Sequence, residues 1–189
     1  MKRGAYILVV GPTGSGKNTL IQAARERIPG LSFAVSATTR PMREGEVDGV
    51  NYHFLTTTEF MRRVDAGMFL EWAEYGGNLY GTLKSEVEPV IEAGKLILSD
   101  IELQGVRQVM HNLPKEERIT IFVDAGPWEE LVARITARGP MSEADIAKRR
   151  AHYDEEAAFK DEADYVVSNH TGELEQAKEA FVSIVRSLA

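Results

Sequence analysis

The chain has 189 residues, a length that fits one domain with inserted lobes and suffices to bury a real core. Its 43% hydrophobic and 27% charged residues describe a globular chain, neither disordered nor built for a bilayer, and no stretch approaches the ~20 apolar residues of a membrane span. The formal charge of -7, spread along the chain, argues against a general polyanion binder; the absence of cysteine excludes disulfides, thiolate catalysis and Cys-based zinc sites.

The amino terminus, MKRGAYILVVG, has two basic residues and a short apolar run that meets a glycine-rich loop after six residues. A buried strand over Ala5 to Val10 fits this better than a signal peptide. The loop itself, GPTGSGKNTL, follows the phosphate-cradling pattern G-x-x-x-x-G-K with Gly11, Gly16 and Lys17. Its glycines let the backbone turn tightly and aim N–H groups at phosphate oxygens, and the helix read from Thr19 to Ile28 adds the positive end of its dipole. Strand, glycine loop and helix are the context the motif requires. One letter departs: Asn18 stands where Ser or Thr normally holds magnesium. Its amide oxygen is a neutral donor that magnesium accepts, whereas Thr19, about 100° further round the helix, points elsewhere.

From Ser36 to Thr82 the rhythm breaks into a stretch rich in Thr, Gly, Arg, Glu and aromatics. It carries one short helix near Thr57 to Ala66 behind a Thr56–Glu59 capping box, and a hairpin turning at Gly76-Gly77. This reads as an inserted, mostly antiparallel lobe. Beyond it, buried strands at Lys95 to Asp100, Ile119 to Asp124 and Asp164 to Ser168 alternate with helices. The helices are read at Lys84 to Ala93, Leu103 to Asn112, Trp128 to Ala137, Ser142 to Phe159 and Glu173 to Leu188. Pro127 opens one, and Ser142 with Asp145 caps another. Such alternation predicts an α/β fold with a parallel sheet. Asn169-His170-Thr171 matches the glycosylation pattern, read as chance without a secretion signal.

The segment FAVSATTRPMREGEVDGVNYHF (Phe33 to Phe54), together with GMFLEWAEYGGNLYG and DIELQGVRQV, closely resembles the guanylate kinase family. The resemblance runs from the phosphate loop to the last helix. It implies a three-layer P-loop NTPase fold with a parallel core (1–35, 83–133 and 151–189), a mostly antiparallel GMP-binding lobe (36–82) and a helical lid (134–150). It also implies transfer of the ATP γ-phosphoryl group to GMP with Mg²⁺, in the cytoplasm, by a monomer or homodimer without nucleic-acid or membrane partners.

The resemblance further implies site residues. Gly11, Pro12, Thr13, Gly14, Ser15, Gly16, Lys17, Asn18, Thr19, Arg134, Arg138 and Asn169 correspond to the ATP site, with Asn169 near the adenine. Arg40 and Arg43 match the pair that binds the GMP phosphate, a task suited to guanidinium forks, and Tyr52 and Tyr80 match phenols donating to the same group. Glu71 and Ser36 match the guanine readers, Thr82 a further base or phosphate contact, and Glu102 stands near the GMP where the family commonly has Asp. A carboxylate accepts from guanine's ring N–H and exocyclic amine, a donor pair that adenine lacks on that edge. Asp100 lies near the metal through water, and the catalytic set becomes Lys17, Arg40, Arg138 and Arg149. Two rival readings remain at this point: a guanylate-kinase-like domain that binds phosphopeptides, and a related kinase for a ribose bisphosphate. The retained Lys17 and Ser36 weigh against the first, and the guanine-plus-phosphate set against the second.

Overall fold

The computed structural model describes residues 3–137, 139 and 141–189. Its core is a five-stranded sheet built from β1 (Ala5–Val10), β2 (Ser32–Phe33), β7 (Leu96–Asp100), β8 (Arg118–Asp124) and β9 (Tyr165–Ser168), in the order β2-β7-β1-β8-β9. All of its pairings are parallel. Successive side chains of β1 leave the sheet on opposite faces, so the apolar run feeds two cores. Tyr6, Leu8 and Val10 pack with Val87, Ile91, Val106, Val109 and Phe159. Ile7 and Val9 pack with Leu20, Ile21, Ala24, Phe181, Val182 and Val185. These residues come from α1 (Lys17–Arg27) and α7 (Leu174–Leu188) on one face, and from α3 (Lys84–Glu92), α4 (Leu103–Asn112) and the short 3₁₀ turn Phe159–Glu162 on the other. The result is a three-layer fold, as the resemblance implies, with the parallel α/β sheet that the alternation of strands and helices predicts.

A second, four-stranded sheet is formed by β3 (Ala37–Thr38), β4 (His53–Phe54), β5 (Phe69–Tyr75) and β6 (Asn78–Leu83), in the order β4-β3-β6-β5. Two of its three pairings are antiparallel, and β3 pairs β4 in parallel. Gly76 and Gly77 both take positive φ, 59° and 76°, as a two-residue turn matched to strand twist requires. Helix α2 (Thr57–Asp65) is capped by the Thr56 hydroxyl, which accepts from the Glu59 N–H at 3.2 Å. Phe60 stacks on Phe69 beneath this sheet, at 4.4 Å between ring centroids. Helices α5 (Trp128–Thr136) and α6 (Glu143–Ala158) cross beside the phosphate loop, and Ser142 caps α6 by accepting from the Asp145 N–H.

Strands β2, β3 and β4 are absent from the sequence reading because two residues hold no periodicity. They are set by their partners, Ile97 and Leu98 in the case of β2. Helix α1 also begins two residues earlier than the patterning predicts, at Lys17 itself.

Candidate active site

The phosphate loop leaves the buried end of β1 and enters α1 through Gly16, whose φ of 95° only glycine adopts freely. No side chain caps α1, so its first N–H groups face outward from the helix end. The Lys17 ammonium folds back over the loop, donating to the Gly11 carbonyl at 2.5 Å, and lies 3.6 Å from Asp100 at the end of β7. Burial raises the Asp100 carboxyl above its ordinary range, Lys17 opposes this, and neighbouring Glu102 reinforces it. Asn18 and Thr19 are exposed on the first turn of α1, and Asn18 faces the same cavity as Asp100.

Asn169, at the end of β9, is fixed to the phosphate loop. It is buried, its Nδ2 donates to the Ser15 carbonyl at 2.6 Å, and its own carbonyl accepts from Arg134 Nη1 at 2.7 Å. A Cβ on Gly16 would stand 2.4 Å from that same Nδ2, so loop and amide are fitted to each other. Arg138 lies outside the described residues.

Two cavities share Ala73, Tyr75 and Glu102 and form one cleft. The end beside the phosphate loop, the donor end expected from the resemblance, is lined by Pro12 and Thr13 of the loop and by Trp128, Arg149 and Glu156 from α5 and α6. The other, the expected acceptor end, about 400 Å³, is lined by Asn18, Ser36, Tyr52, Glu71, Tyr80 and Asp100, among others. A volume of this order suits a small ligand. Pro12, Thr13, Asn18, Ser36, Tyr52, Glu71, Tyr80, Asp100, Glu102 and Arg149 thus line one cleft, whereas Arg40, Thr82, Arg134 and Asn169 are not among its lining residues, and Arg43 and Thr19 are solvent-exposed.

Glu71 is the buried charge of the acceptor end. Its Oε1 accepts from the Thr82 hydroxyl at 2.7 Å, and burial pushes its carboxyl up to about 6 despite that bond. Strand β5 is a sheet edge, and an edge leaves backbone groups unpaired. Helix α4 pairs them. Gln108 accepts from the Trp72 N–H at 3.1 Å and donates to the Trp72 carbonyl at 2.8 Å, and Asn112 donates to the Leu70 carbonyl at 2.7 Å. The backbone on both sides of Glu71 is therefore clamped, and Gly105 of α4 allows the carboxylate its close approach.

Arg40 is oriented by Glu46, which the sequence reading passed over. The fork is bidentate, Nη2 to Oε1 at 2.7 Å and Nη1 to Oε2 at 3.0 Å, while the Arg43 N–H donates to Oε2 at 2.7 Å. These bonds, the Arg40 fork first, hold Glu46 below its ordinary carboxyl range. Arg40 also lies over the Tyr52 ring, 5.4 Å from its centroid. Glu46 and the Pro41 carbonyl take three of its five N–H groups, and the Tyr80 hydroxyl is a further hydrogen-bond partner of the guanidinium. An acidic residue three beyond the second arginine of R-x-x-R was the available signal. Glu156, also passed over, is buried on α6, and that burial raises its carboxyl to about 7, with Lys17 opposing.

A protein-family model described as guanylate kinase matches residues 3–188. The guanylate kinase of Rubrobacter xylanophilus is 45% identical over 188 residues, covering 100% of this chain and 96% of the relative. That of Thermotoga maritima is 43% identical over 187 residues, covering 98% and 87%. The crystal structure of guanylate kinase from Anaplasma phagocytophilum superposes with a TM-score of 0.73 at 25% identity, covering 99% of this chain and 87% of that one. A phosphate loop and a buried carboxylate at opposite ends of one cleft, in a chain matched along nearly its whole length, lead to one assignment: this protein belongs to the guanylate kinase family.

Proposed function

We propose that the cleft carries the γ-phosphoryl group of ATP to GMP, giving GDP and ADP. The observation that bears most weight is Glu71, a buried carboxylate fixed by Thr82 in the same cleft as the phosphate loop. It accepts from guanine's N–H pair, with Ser36 alongside. A mismatched base leaves that carboxylate desolvated and unpaired, which is costly. A ribose bisphosphate would gain nothing from a buried carboxylate, and a phosphopeptide domain has no need of Lys17.

Arg40, Arg43, Tyr52 and Tyr80 hold the GMP phosphate. Glu46 accepts from two of Arg40's N–H groups and the Pro41 carbonyl from a third, so the guanidinium is preorganised rather than searching. An oxygen of that phosphate attacks the γ-phosphorus in line as the bond to the β-γ bridging oxygen breaks. The nucleophile is already anionic, so no general base is needed, and positioning with charge stabilisation supplies the rate. Lys17 follows the transferring group, and Arg134, Arg138 and Arg149 neutralise charge spreading onto its oxygens. Closure of the GMP-binding lobe and the lid over the cleft excludes water. Asn169, with Thr13 and the loop backbone, shapes the ATP side.

Among the described residues no group of three or more acidic or histidine side chains forms a metal cage. A neutral amide oxygen on Asn18 and one carboxylate on Asp100 nonetheless fit Mg²⁺, which takes few protein ligands and completes its shell with water and phosphate oxygens. Bound there, it supplies charge neutralisation at the β- and γ-phosphates. We place the activity in the cytoplasm, in a monomer or homodimer that engages neither nucleic acid nor membrane. No helix among the described residues is long and apolar enough to cross a bilayer.

Two variants test the assignment of roles. Lys17→Ala lowers kcat by about 10²–10³, as loss of one preorganised donor does. Arg40→Ala lowers kcat/KM for GMP by at least about 100-fold, from two or more charge-assisted bonds. Near-normal steady-state kinetics in either variant overturns its assignment.

A further inference from the structure

Behind Glu71 a chain of hydroxyls runs into the core. Thr82 on β6 has a single hydroxyl proton, and it goes to Glu71 Oε1 at 2.7 Å. The Tyr6 hydroxyl, on β1, lies 3.5 Å from Thr82 Oγ1 and 2.7 Å from Ser99 Oγ on β7. With the Thr82 proton on Glu71, the longer 3.5 Å contact is used only when Tyr6 donates to Thr82, and Tyr6 then accepts from Ser99, a direction the 2.7 Å contact allows. In that arrangement every donor points the same way, from Ser99 to Tyr6 to Thr82 to the Glu71 carboxylate.

We infer that Tyr6 is a positioning residue for guanine recognition: its phenol holds the Thr82 hydroxyl turned toward Glu71 and so keeps that carboxylate aligned and ionised. The inference rests on the reading of Glu71 as the guanine acceptor. Tyr6, Thr82 and Ser99 are all buried, so no water competes for these bonds, and aligned donors in a low dielectric polarise one another toward the terminal anion. Burial raises the Tyr6 phenol, which keeps its proton on the chain at any working pH. The series also ties the core strands β1 and β7 to the acceptor lobe at β6. Sequence alone offers Tyr6 only as one more apolar-run residue, since its partners are 76 and 93 positions away.

The Thr82 backbone N–H supports the Glu71 carboxylate beside the Thr82 hydroxyl, and both act against its burial. Helix α4 presents Gly105 to it and the neutral Gln108 to the strand beside it, while Asp100, Glu102, Tyr52 and Tyr80 line the same cavity. None of these donates to the carboxylate among the described residues.

Tyr6→Phe keeps the ring and removes the hydroxyl. The expected result is a KM for GMP raised about 3- to 10-fold, the scale of one neutral hydrogen bond, with kcat and the KM for ATP unchanged. The acid limb of kcat/KM for GMP moves to higher pH relative to wild type, because the carboxylate has lost polarised support. Ser99→Ala, which removes the donor at the head of the series and with it the polarisation of the Tyr6 hydroxyl, shifts both quantities in the same direction. Glu71→Gln separates the two levels of the argument. If it leaves the KM for GMP unchanged, the guanine reading itself fails. If it raises that KM while Tyr6→Phe and Ser99→Ala both behave as wild type in KM and pH profile, the positioning role alone is overturned. Equal losses in GMP affinity, ATP affinity and kcat would also overturn it, as general damage to the core.

Discussion

Gly105→Ala is the substitution whose effect the geometry sets most closely. An alanine Cβ at this position would lie 2.7 Å from Glu71 Oε2, 3.1 Å from its Cδ and 2.9 Å from Ile101 Cγ1. Ordinary contact begins near 3.4 Å, so the carboxylate must yield by about 0.7 Å. It has little freedom to do so. Its other oxygen is fixed on Thr82, and the flanking backbone is clamped by Gln108 and Asn112. A displacement of that size at a recognition group costs on the order of 30- to 100-fold in kcat/KM for GMP. Overpacking destabilises by about 1–3 kcal/mol, which alanine's helix propensity offsets by up to about 1 kcal/mol, so the protein stays folded with a lowered Tm. The assay is steady-state turnover at varied GMP and at varied ATP, beside a thermal melt. The KM for ATP should not move. A folded Gly105→Ala protein with kcat/KM for GMP within twofold of wild type would refute the claim that this glycine makes room for the carboxylate.

Two further outcomes follow from the ionisable groups and the metal donors. Asn18→Ser exchanges an amide oxygen for a hydroxyl; if Asn18 is a competent ligand, the magnesium concentration for half-maximal rate stays the same, and a large drop shows that it is not. Glu71→Gln removes a buried charge. The folded carboxyl, at about 6, holds its proton more tightly than the ordinary 4.5 of an unfolded chain, so stability is greatest below pH 4.5 and is lost as pH rises through about 6. The difference is about 2 kcal/mol, so Glu71→Gln melts about 4–8 °C above wild type at pH 8, with the gap closing near pH 4.5. An equal gap at both pH values contradicts this.

The strands and helices of the core were legible because each is long enough to show its period: the β1 run feeds both faces of the sheet, and the Gly76-Gly77 turn declares its hairpin. Strands β2, β3 and β4, at two residues each, carry no such signal and exist only through their neighbours. The acceptor residues were legible through their resemblance to a family, not through local chemistry, since Arg40 or Tyr52 alone reads as ordinary surface or strand. What stayed hidden was the support. Gln108 and Asn112 look like polar helix residues until β5 is known to be an edge. Glu46 looks like loop charge until its fork with Arg40 is seen. Tyr6 and Thr82 meet only when the lobe folds back on the core.

The most direct measurement is initial-rate turnover of the wild-type protein with ATP and Mg²⁺, comparing GMP, dGMP, AMP and ribose bisphosphate as acceptors. The predicted result is conversion of GMP to GDP, with slower use of dGMP, kcat/KM for AMP lower by about 10⁴ or more, and no measurable ribose bisphosphate product. A folded protein that turns over AMP as well as GMP, or that phosphorylates neither, would contradict a site built around the Glu71 carboxylate.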